Sequence, residues 1–196
     1  MFHCHSSRIT RARPERPRAA PAPPPAGEVI ATIAVTADSR AYALPARLNE
    51  VAAVYSLGVG EIRCPSPEEW NADFGSAFGY AYTNMAADYA VLSPLVCAGA
   101  LGVGESDVPD WQEALGVLVL VHESFHLRHW RWRRDEGKVE CQAMVYFKDA
   151  TLMLGATREH AHNLYAYAIA LHAYKTAVFP QYHDRSCRLA PWEPPQ

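Results

Sequence analysis

The sequence predicts an α+β fold in which a small β-sheet or hairpin region is followed by a helical half. Three observations carry that reading. Runs of β-branched and aromatic residues of strand length lie before residue 100. From Trp111 onward, three helical periodicities follow one another with short connections. Of the 196 residues 49% are apolar, enough for one sizeable core. One folded domain is expected over residues 28–190, between tails at 1–27 and 191–196.

The first tail passes from closely spaced arginines into Ala and Pro with almost no large apolar side chain, a composition expected to stay disordered. After it, EVIATIAVT at 28–36 reads as a first strand. Leu44, Leu48, Val51, Val54 and Tyr55 then recur at near-helical spacing over 43–58, with Gly58 as the stop. Two apolar runs within 78–97, separated at Asn84, read as a β-hairpin whose end Pro94 demotes to an edge or a loop. Residues 102–110 read as a loop, with Asp110 capping a helix from Trp111 to about His129. Val117, Val119 and Val121 alternate as in a strand, but nearly twenty residues broken only by Gly116 decide for a helix buried all round. A second helix is expected from Glu136 to Leu154, stopped by Gly155, and a third from a Thr157 cap to Val178, ending before Pro180.

A net charge of −3 gives no basic field that would draw nucleic acid or an anionic membrane. No apolar run reaches the 18 or more residues that cross a bilayer, and the N-terminus lacks a secretory h-region. A cytoplasmic location is therefore expected, with export left open by the cysteines. None of the five cysteines stands in a CxxC pair of the kind that marks a structural zinc site.

Within the predicted buried helix stands HESFH, residues 122–126. Histidines four apart on a helix lie one turn above each other, so His122 and His126 can aim at one point; in a strand they would stand roughly 13 Å apart. Glu123 is rotated by about 100° from His122, where its carboxylate can take a proton from a metal-bound water without competing for the ion. A zinc held by two imidazoles and one carboxylate keeps an open fourth position and lowers the pKa of water there toward about 7. The third ligand is sought in DEGKVE, residues 135–140, on the returning helix. Glu136 and Glu140 share a face there, so that one can bind the ion while the other orients an imidazole. His160, His162, His172 and His183, with Tyr165, Tyr174 and Tyr182, are candidates for an oxyanion-stabilising group. Each is expected first in a structural role.

HESFH followed by DEGKVE resembles the gluzincin arrangement, in which HExxH precedes (N/D)ExxxD/E on the next helix. The wider pattern, GYAYT, LSPLVC, HESFHLRH, DEGKVECQAM and YHDRSC, is similar to small bacterial and phage HExxH zinc metallopeptidases over about residues 60–187. The resemblance implies a zincin-like fold and a zinc peptidase acting on a peptide or protein. It implies His122, His126 and Glu136 as ligands, Glu123 as the catalytic base and Glu140 in support of His122. It also implies bridges Cys64–Cys97 and Cys141–Cys187, with Cys4 left over. Only nine residues, Leu127 to Asp135, separate the second His from Glu136, fewer than in large gluzincins, which leaves Glu136 and Glu140 as alternatives for the third ligand. His129 returns to the face of His122, but the Gly-made turn of a metzincin is missing, so it is expected near the pocket rim. The alternative to the enzyme is a zinc-binding structural or regulatory module without turnover, its fourth position closed by protein.

Overall fold

The computed structural model describes residues 45–73, 77–83, 88–105, 107–128 and 135–189. The expected strand at 28–36, the two tails, His129 and Cys4 lie outside these residues. In chain order the elements are α1 (Pro45–Ser56), β1 (Glu61–Arg63), α2 (Pro67–Asp73), β2 (Gly79–Thr83), β3 (Asp88–Leu92), α3 (Pro94–Leu101), α4 (Asp110–Arg128), α5 (Glu136–Met153), α6 (Arg158–Val178) and a 3₁₀ turn (Pro180–Tyr182). The described residues form an α+β fold, mostly helical, with one three-stranded sheet.

The sheet has the order β1-β3-β2, with β1 parallel and β2 antiparallel to the central β3. Ala90 at its centre pairs with Ile62 on one side and Ala81 on the other. Side chains alternate across a strand, so Gly79, Ala81, Ala90 and Leu92 share the face that packs on α4. On the opposite face Trp70 of α2 stacks near Tyr80, with ring centroids 6.3 Å apart. The outer side of β1 is closed by Asn49 of α1, whose side chain accepts from Ile62 N at 2.7 Å and donates to Ile62 O at 3.1 Å. Among the described residues β2 forms the other edge.

β1, α2, α3 and the 3₁₀ turn escaped the sequence reading. The three residues of β1 are too few for a visible alternation, while α2 begins with a capping box in Ser66-Pro67-Glu68-Glu69. Glu69 N donates to Ser66 Oγ, and Ser66 N donates to Glu69 Oε2. The reading of Pro94 is corrected. Pro94 does not demote the run to an edge or loop; it opens α3 from N1, where its missing N–H costs nothing, and Ser93 caps the helix by accepting from Val96 N. β3 accordingly ends at Leu92 and is the central strand.

Every residue of α4 from Gln112 to Leu127 is buried, because α1, α3, α5, α6 and the sheet surround it. Gly116 permits the closest of these approaches: a Cβ there would stand 2.2 Å from Ala100 N and 2.6 Å from Gly99 C, both backbone atoms of α3. Backbone cannot yield as a side-chain tip does. Gly116→Ala should therefore lower the free energy of unfolding by about 3 kcal/mol in a denaturant titration, as overpacking does elsewhere.

α5 starts after Asp135, whose carboxylate accepts from Lys138 N, and ends before Gly155 at φ +87°, a left-handed position that favours glycine. α6 starts after Thr157, which accepts from His160 N. Bridges join Cys64 to Cys97 and Cys141 to Cys187. The first ties the end of β1 to α3; the second ties α5 to the chain beyond the 3₁₀ turn. Among the described residues no helix is long and apolar enough to cross a membrane.

Candidate metal centre

The HESFH turn divides its side chains between two sides of α4. Phe125 goes into the core, its ring 5.7 Å from those of both Tyr55 and Tyr146. Ser124 donates to Leu120 O one turn back, which satisfies a buried hydroxyl within the helix. His122, Glu123 and His126 take the other side, all three buried.

His122 Nε2 lies 3.0 Å from His126 Nε2 and 3.1 Å from Glu136 Oε2, and His126 Nε2 is 3.5 Å from the same oxygen. Two helices thus bring three donor atoms to one point, and Glu136, with 32% of its side chain exposed, leaves that point open on one side. Ligands about 2.0–2.1 Å from a tetrahedral zinc stand about 3.3 Å apart, so these three separations fit such an ion.

The second acid of DEGKVE is placed differently. Glu140 is wholly buried, and its Oε2 lies 2.9 Å from His122 Nδ1, the ring nitrogen facing away from His126 and Glu136. The approach is close but off the direction of a good ring N–H hydrogen bond. The same oxygen accepts from Lys175 Nζ at 2.7 Å, and Oε1 lies 3.4 Å from His172 Nδ1. Both partners come from α6.

Electrostatics follow from this packing. Burial pushes Glu136 upward, but the contacts with His122 and His126 outweigh it and hold its carboxyl well below the usual range. Glu140 behaves likewise: burial raises it, and His122, His172 and Lys175 bring it well below the usual range. For His122, burial and Lys175 push down while Glu136 and Glu140 push up more strongly, so the ring stays above its ordinary value. Glu123 is the exception among the carboxylates. Burial raises it, and the nearby histidines and Lys175 only partly offset that.

β2 crosses beside this carboxylate. A Cβ on Gly79 would meet Glu123 Oε1 at 2.8 Å and Cγ at 2.9 Å. Cγ is not the free end of this buried side chain, so Gly79→Ala should displace the carboxylate and cost about 1–3 kcal/mol of stability. If Glu123 is the working base, turnover should fall about 10-fold or more, an effect read by comparing kcat with the melting temperature.

The 3₁₀ turn completes the surround. Its Tyr182 ring lies 5.8 Å from that of His122 and 3.8 Å from Lys175 Nζ. Burial, and then the negative charges of Glu136, Glu123 and Glu140, raise the Tyr182 hydroxyl far above its ordinary value, so it remains an O–H donor. Gly137 lets this segment cross the first turn of α5, since a Cβ there would stand 3.1 Å from the His183 backbone.

The other histidines and tyrosines have separate places. His160 Nε2 lies 2.5 Å from Oε2 of buried Glu113, a pair that fastens α6 to the start of α4, with Asp110 nearby. Tyr165 is buried against Phe147, and Tyr174 is exposed. Sequence reasoning missed Lys175. Its signal was a lysine three residues after His172, on the face of α6 that meets Glu140. Compared with family models, curated proteins and solved structures, the chain has no match.

Proposed function

We propose that the protein is a zincin-like zinc peptidase. One observation carries this reading: His122 Nε2, His126 Nε2 and Glu136 Oε2 converge with separations of 3.0, 3.1 and 3.5 Å, beside the buried carboxylate of Glu123. A zinc held by these three groups would supply Lewis acidity toward a water molecule and a peptide carbonyl. Glu123 then does the proton work. Its buried carboxylate beside the three converging donors can take a proton from the attacking water and later give it to the leaving amine. The Tyr182 O–H can donate to the oxygen that gains charge in the transition state. Among the described residues β2 has no strand on its outer side, and an extended peptide can add to such an edge beside Glu123 by main-chain pairing. Gly79 on its inward face makes room for the Glu123 side chain itself.

The module without turnover would close the site with both acids of DEGKVE or with His129, which lies outside the described residues. Glu140 contacts Nδ1, the far nitrogen of the His122 ring, and is held there by Lys175, which favours the open site. Two formed bridges are of the kind an oxidising compartment preserves, which weighs against the cytoplasmic expectation.

The test is hydrolysis of a mixed peptide library by protein purified without a histidine tag, before and after removal of metal by a chelator. Cleavage that disappears with the metal and returns with added zinc is expected. Cleavage unchanged by complete metal removal would contradict the proposal.

A further inference from the structure

Three carboxylates, Glu123, Glu136 and Glu140, stand within one largely buried site, and charges so placed require compensation. A divalent ion supplies two positive charges. Lys175 brings the third, with Nζ 2.7 Å from Glu140 Oε2 and a side chain only 25% exposed. Its position is specific in two further ways. The oxygen it holds is the one 2.9 Å from His122 Nδ1, so the chain Lys175–Glu140–His122 ends on the ring whose other nitrogen faces His126 and Glu136. The same ammonium lies 3.8 Å from the Tyr182 ring centroid, within range of a cation–π contact that seats the tyrosine above the site.

We propose that Lys175 is the positioning residue of this centre: it fixes Glu140 behind His122, and so the ligand ring, and it holds Tyr182 in place from below. This rests on the metal-site reading above but not on peptide hydrolysis. Lys175 itself touches neither the three converging donor atoms nor the open side of the site; it acts through Glu140 and Tyr182. Glu140 needs it. Without Lys175 the Oε2 of this wholly buried carboxylate would keep only the His122 contact, and a carboxylate held less firmly orients an imidazole less firmly. The arrangement also gives the two acids of DEGKVE different tasks. Glu140 is engaged by Lys175 on the far side of His122, while Glu136 is left to face the ion.

The experiment measures zinc affinity by competition with a chromophoric chelator for wild type, Lys175→Met, Lys175→Arg, Glu140→Gln and the Lys175→Met/Glu140→Gln double variant. Thermal unfolding of each metal-free protein is recorded alongside. Lys175→Met should bind zinc about 10-fold more weakly or worse, and Lys175→Arg should recover most of that loss. In the Glu140→Gln background, Lys175→Met should add little, because both act on one ring. Wild-type zinc affinity in Lys175→Met would overturn the proposal. So would equal losses in Lys175→Met and Lys175→Arg, or a full further loss in the double variant. Should Lys175→Met fail to fold, Lys175→Gln against Lys175→Arg makes the same comparison. A wild-type chain that binds no zinc sinks the underlying site reading; zinc bound normally but indifferent to Lys175 sinks this inference alone.

Discussion

Glu123→Gln is expected to leave zinc binding intact and to reduce peptide hydrolysis by at least about 10²–10⁴-fold, the range that a positioned acid–base group contributes. The amide keeps the volume of the carboxyl beside Gly79, so the packing of β2 on α4 is preserved. What it loses is the capacity to accept a proton. The same residue sets a pH dependence whose sign follows from its environment. Burial raises the Glu123 pKa above the ordinary carboxylate value, and the base works only when ionised. Activity should therefore fall as pH is lowered and Glu123 takes up a proton, and any residual activity of Glu123→Gln should lack that limb. Initial rates across pH, at confirmed metal occupancy, check both statements. Full activity in a zinc-loaded Glu123→Gln protein would remove Glu123 from the mechanism.

The second large effect separates the two acids of DEGKVE. Glu136→Gln should lose zinc affinity far beyond the ~10–100-fold that removal of a supporting group costs, whereas Glu140→Gln should fall within that range. The reason is position. Glu136 Oε2 shares one point with both Nε2 atoms, while Glu140 Oε2 meets only Nδ1 of His122. Removing the Glu140 charge also leaves Lys175 without its closest carboxylate, so some loss of stability is expected in that variant as well. Chelator competition on the two variants reads the difference directly. Equal affinities, or the reverse order, would exchange the roles of the two residues.

Much of the helical half was legible because its signals are local. The Asp135 and Thr157 caps, Gly155, and the three- and four-residue spacing of Val139, Ala143, Met144 and Phe147 each act within one or two turns. The strands were harder to read. β1 has three residues, and its pairing with β3 depends on chain 28 residues away. Pro94 misled for a related reason. Proline ends strands and opens helices alike, and Ser93 as a cap decides between them only once the helix after it is recognised.

At the site, the i, i+4 spacing of His122 and His126 was legible, and Glu136 and Glu140 were legible as a pair. Which acid joins the two Nε2 atoms was not, because that depends on how α5 crosses α4 and on Lys175 arriving from α6, 35 residues beyond Glu140. Tyr182 was one name among seven histidines and tyrosines. It stands apart because the 3₁₀ turn, held by the Cys141–Cys187 bridge, folds back over the first turn of α5.

The most direct measurement is the zinc content of tag-free wild-type protein after exhaustive dialysis, set beside that of His126→Ala, by elemental analysis. One tightly held zinc per chain in the wild type, lost in His126→Ala while the far-ultraviolet spectrum stays helical, is the predicted result. A wild-type protein that is folded and retains no metal, or a His126→Ala protein that retains a full equivalent, would contradict the assignment of His122, His126 and Glu136 as a metal centre.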